Sequence, residues 1–139
     1  MIRYLVAMLF FFGLSTPLAC AQQEECCRLP ETIRTLRDLA SDYRRLRREV
    51  GSGCCNRYNS GLMQAMILLR DSLPPGTAVK KVTALMGKPD LRHSARYGVI
   101  ELPPGTRLLI YQWRGSHDFL YFIARKGCVV KSEWYHAWE

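Results

Sequence analysis

"GTAVKKVTALMGKPD", residues 76–90, is the stretch on which the fold turns. Val79, Val82, Leu85 and Met86 recur within it at three- and four-residue spacing, which places them on one side of a helix. Thr77 can cap the start of that helix, Gly87 can close its end, and Pro89 cannot continue it. A helix over 77–86 therefore divides the chain. Before it, "LPPGT" (73–77) carries two prolines and a glycine, the composition of a linker.

After it the periodicity changes from helical to alternating. Strands are expected near 96–102, 107–113, 119–124 and 128–135, separated by "PPG", "RGSH" and "RKG", all turn compositions. Leu109, Tyr111 and Trp113 share one face of the second strand, and Leu108 and Ile110 the other. Short turns between consecutive strands imply an antiparallel meander. Working back from the linker, Pro30 suits a first helical position, and Leu36, Leu39, Tyr43, Leu46 and Val50 make one apolar stripe. Gly51 and Gly53 stop that helix. Its other face carries Arg34, Arg37, Arg44, Arg45, Arg47 and Arg48 against Asp38, Asp42 and Glu49. A second helix over 58–72 turns Leu62, Met66 and Leu69 inward. The expected class is α+β: a helical N-terminal segment, then a short helix packed on a three- to four-stranded antiparallel β-meander.

The first residues have a different purpose. Arg3, an apolar run over 4–14, Pro17 and the small residues Ala19 and Ala21 have the layout of a secretory signal peptide cleaved before Gln22. The run is shorter than the roughly 20 residues a membrane-spanning helix needs. "PLAC" (17–20) offers an alternative, a lipobox in which Cys20 is lipidated and begins the mature chain. The expected organisation is thus 1–21 leader, 22–73 helical and cysteine-rich, and 74–139 α+β. Loss of Arg3 takes the net charge from +8 to +7, which favours acidic proteins or an anionic membrane surface; export argues against nucleic acid.

Residues 76–138, about half of the mature chain, resemble the BamE family, also called SmpA/OmlA. The resemblance rests on "GT", a helix with Val82, "LMGKPD", "LLIYQW" and "LYFIARKGCVVKSEW". It implies that Gly76 opens the helix, that Val82 packs it, and that Gly87 and Pro89 end it against the first strand. It also implies that Tyr111 and Trp113 lie on the central strand and that Gly127 makes the last hairpin turn. Family members are small envelope lipoproteins with a fold similar to β-lactamase inhibitor protein domains. They assist outer-membrane protein assembly or bind other proteins. The resemblance therefore implies a periplasmic or outer-membrane location and a binding or scaffold role, with a secreted inhibitor or immunity-type protein as the alternative.

Apart from Cys20, five cysteines remain: Cys26, Cys27, Cys54, Cys55 and Cys128. In an oxidising compartment disulfides are the default. Zinc sites favour cysteines two to four residues apart, which adjacent "CC" pairs do not supply, so no metal or other cofactor is expected. A straight helix over 30–50 would be about 31 Å long. The flanks of Cys27 and Cys54 can fold back about 24 Å along it and a disulfide adds about 6 Å, so the sum barely reaches, and only with both flanks fully extended. Two outcomes stay open: a break near Ala40, Ser41 and Asp42, or bonding of Cys26/Cys27 to Cys54/Cys55 of a second copy in a disulfide-linked homodimer. Cys128 is expected as a buried strand thiol.

Catalytic material is thin. His93, His117 and His136 are scattered, and His117 and Asp118 fall in an expected turn. Cys128 and His136 share a face if their strand is regular, but no third group orients the base. The chain is therefore expected not to be an enzyme. Binding has more support. The tail is dense in aromatics, and one ten-residue helix cannot cover both sheet faces, so either the N-terminal helices cover the second face or aromatics stay outward. Tyr111, Trp113, Tyr121 and Trp134, with Arg44 and Arg48, are the candidate protein-binding residues.

Overall fold

The computed structural model describes Leu29 and residues 35–50, 60–93 and 97–136. The leader, Cys20, Cys26, Cys27, Cys54, Cys55, the expected helix start at Pro30 and the Gly51/Gly53 stop lie outside the described residues. The chain is α+β; among the described residues three helices precede a four-stranded antiparallel sheet: α1 Leu36–Glu49, α2 Ser60–Asp71, α3 Val79–Met86, β1 Leu91–His93, β2 Thr106–Gln112, β3 Asp118–Arg125 and β4 Cys128–His136. The sheet is a meander in the order β1-β2-β3-β4. No helix among the described residues is long and apolar enough to cross a membrane.

The local chemistry explains each boundary. Thr35, in extended conformation, caps α1 by accepting from the Asp38 amide at 3.1 Å, which sets the start of this helix at Leu36. Arg47 and Arg48 in its last turn complement the helix dipole. The helix runs unbroken through Ala40, Ser41 and Asp42, so the expected break is absent.

The linker is also more than a cap. Ala78, not Thr77, occupies the N-cap of α3 and makes no side-chain bond. Instead the preceding segment pairs with the start of β4. Gly76 N donates to Val129 O at 2.7 Å, Val129 N to Thr77 O at 2.8 Å, and Val79 N to Gly127 O at 2.8 Å. Backbone carbonyls of the last hairpin thus satisfy amides that a Thr77 side chain was expected to satisfy. Gly87, at φ 75°, closes α3 where a side chain would be strained.

The core has two layers. Leu39, Tyr43 and Leu46 of α1, Leu62, Met66 and Leu69 of α2, and Val82 and Met86 of α3 pack on Leu109, Tyr111, Leu120, Phe122 and Val129. This one core takes residues from both sides of position 73. On the opposite face Leu108, Ile110, Phe119, Tyr121 and Ile123 pack with Ile100, Leu102, Tyr97 and Tyr135. All three helices lie on one face, and the β1–β2 connection covers the other.

That connection corrects the first expected strand. The strand is at Leu91–His93, and Tyr97 and Ile100 form a tight turn, exchanging hydrogen bonds of 3.2 and 2.9 Å around Gly98. The apolar residues of 97–102 serve as a cover for the sheet instead of pairing within it. The β3–β4 register shifts between Ile123 and Ala124, leaving Val130 as the extra residue of a bulge. Parity is therefore reversed between Cys128, opposite Arg125, and His136, opposite Asp118, so those two side chains take opposite faces.

A polar lock joins the layers. Arg47 of α1 donates to the carbonyls of Met86 (3.1 Å) and Lys88 (3.2 Å) at the end of α3, to Tyr43 Oη (3.2 Å) and to Asp90 (2.6 Å). Asp90 also accepts the Gln112 amide at 2.8 Å, and Tyr111 donates its hydroxyl to Gly87 O at 3.0 Å. The "GKPD" of 87–90 is thus the socket into which α1 and β2 plug. Burial pushes the Tyr43 phenol up to about 12 and raises those of Tyr111 and Tyr121, the last also by its bond to Glu133. A raised phenol pKa contributes its full stability below the ordinary value of 10.0 and loses it as the pH climbs through the folded value. An ultraviolet titration should therefore find three of the seven tyrosines still protonated well above pH 10, ionising together with unfolding. Ionisation of all seven near pH 10 with the fold intact would contradict this packing.

Candidate functional site

The candidate binding residues part company in the fold. Tyr111 is fully buried under the helices, its ring edge-on to Phe122 at 5.9 Å. Tyr121 is buried on the opposite face and bonded to Glu133. Both are core residues, not surface ones, because both sheet faces are covered. Arg44 is half-buried and donates to the carbonyls of Ala84 (3.2 Å) and Leu85 (3.4 Å), which ties α1 to α3. Arg48 is exposed on α1.

Trp113 and Trp134 are brought together. They lie on the helix-side face at the end of the sheet, half-buried, with ring centroids 6.1 Å apart. Arg114 sits over the Trp113 ring at 4.9 Å, and His136 lies 5.6 Å from Trp134. Beneath them Asp118, 1 % exposed, accepts from Arg114 through one oxygen and stands 3.3 Å from His136 through the other. The Asp118 backbone carbonyl accepts the amides of Trp113 (3.0 Å) and Arg114 (3.1 Å), so main chain and carboxylate of this residue together brace the β2–β3 turn. Trp134 Nε1 is buried and has no hydrogen-bond partner.

Sequence reasoning missed Arg114, Asp118 and His136 as neighbours of the tryptophans. The available signal was the four-residue spacing of Arg114 and Asp118 across a "RGSH" turn. Cys128 is exposed, not buried, because it lies at the hairpin end of the edge strand. It also lies at the opposite end of β4 from His136, so the two form no dyad. Among the described residues no group of three His, Cys, Asp or Glu side chains could hold a metal ion. No family model, curated protein or solved structure matches the chain.

Proposed function

We propose that the chain is a non-catalytic binding module of the cell envelope, exported by its first 21 residues, that engages another envelope or exported protein through the aromatic and basic end of its sheet. The observation that carries this reading is Trp134, whose indole donor is out of water and without an acceptor. Buried indole N–H groups normally find a partner, and leaving one unmade costs about 1–3 kcal/mol. A partner seated there would have to shift the tryptophan pair to bring a carbonyl to this nitrogen, and the bond so gained would favour the shifted, bound state. Trp113 and Arg114 beside this indole are of the residue types that dominate binding energy at protein interfaces, and His136 flanks the Trp134 ring.

The test is site-specific photo-crosslinking in intact bacterial cells, with a benzophenone amino acid at His136 or, as control, at Val99 in the β1–β2 connection. His136 is expected to give a discrete protein adduct and Val99 none. Trp134→Phe keeps a ring but removes the donor, and should weaken the adduct several-fold. Recovery of the adduct with membranes favours a scaffold; a soluble one-to-one complex with an exported enzyme favours an inhibitor. Equal adducts from both positions, or none from either, would contradict the proposal.

A further inference from the structure

A second surface, separate from the tryptophan end, has a different chemistry. The helix-side face of the sheet has one corner that the helices leave open, a groove of about 720 Å³. The strand register builds it. Arg92 of β1 is opposite Leu109 of β2, and Arg107, two residues before Leu109, is opposite Ala124 of β3. Side chains at paired positions share a face, and such diagonal neighbours stand about 7–8 Å apart, within reach of two converging guanidinium groups. Leu109, Ala124 and Val79 supply an apolar floor and wall, while Arg92, Arg107 and Lys126 form a cationic rim.

Among the described residues no carboxylate compensates the charges of that rim. None of the three side chains makes an ion pair or hydrogen bond with the described residues. Nearly every described carboxylate is committed elsewhere: Asp42 and Glu49 to Arg45, Asp90 to Arg47, Asp71 to Arg70, Asp118 to Arg114, and Glu133 to Lys131. Lys126 adds an independent observation. It has φ 49° beside Gly127 at 80°, in a hairpin turn whose left-handed positions favour Asn, Asp or Gly. A lysine there sacrifices some turn stability to hold a cation at the rim.

We infer that this groove binds a small phosphate monoester carrying an apolar group. Two guanidinium forks and an ammonium match a phosphate bearing −1.5 to −2 charges better than a single carboxylate, which would neutralise only one of them. The floor accepts the apolar substituent, and the volume lies in the range of small-ligand sites. The site is independent of the protein-binding surface proposed above.

The probe is phenyl phosphate, titrated calorimetrically into the purified exported protein, with inorganic phosphate and phosphatidylglycerol vesicles as separate arms. Saturable binding of phenyl phosphate, at least tenfold tighter than inorganic phosphate, is expected. Arg107→Glu should weaken it at least tenfold, whereas Lys131→Glu, the same change of charge on the far strand, should leave it within twofold. Lys126→Gly should weaken binding while raising the melting temperature, a combination that a purely structural lysine would not give. Equal losses from Arg107→Glu and Lys131→Glu would reduce the effect to net charge and overturn the site. Equal affinity for inorganic phosphate, or binding to the vesicles alone, would overturn the ligand class.

Discussion

Tyr111→Ala is expected to lower stability by about 3–5 kcal/mol, enough to unfold much of the population of a domain of this size. The ring is fully buried on the central strand, edge-on to Phe122, and its removal opens a cavity between the sheet and the helices. Its hydroxyl does separate work, donating to Gly87 O where α3 turns into β1. Tyr111→Phe keeps the ring and strands that carbonyl, so it should cost about 1–2 kcal/mol. Urea unfolding at neutral pH measures both. Two variants of equal cost would mean that the ring is not packed as described.

Arg47→Met should cost about 2–4 kcal/mol, because it keeps the aliphatic stem but leaves Asp90 without its cation and the Met86 and Lys88 carbonyls without a donor. The Arg47 and Asp90 side chains are 26 % and 30 % exposed, which places the effect at the lower end of that range. Burial works against the Arg47 charge, but the neighbouring Tyr43 hydroxyl and Asp90 carboxylate outweigh it and hold the guanidinium more firmly protonated. Asp90→Asn retains an acceptor for the Gln112 amide and should cost less. A double-mutant cycle on the two positions should return a coupling of about 1–3 kcal/mol. Additive effects would mean that the pair does not act as a lock.

How much of this was legible in the chain follows from distance along it. The helix at Val79–Met86, the stripe of α1 and the strands β2 to β4 are local periodic patterns, and they were readable. The three residues of β1 are too few to show a period, and the apolar run at 97–102 imitated a strand because covering a face and forming one need similar residues. Arg47 looked like any other arginine of its helix, since its partners Asp90, Met86 and Lys88 are about forty positions away. Tyr111 and Tyr121 looked available for binding because nothing local reveals that both faces are covered. Trp113 and Trp134 met as the meander required, yet the buried, unpartnered indole depends on packing that no spacing displays.

The central claim is that the chain acts after export by holding another protein at its tryptophan end. The most direct measurement is the intact mass of the adduct formed from position 136 in whole cells, taken with and without reductant. The account predicts a mature chain beginning at Gln22, or at a lipid-bearing Cys20, joined to one envelope or exported protein. A chain still beginning at Met1, or the absence of any adduct, would contradict it.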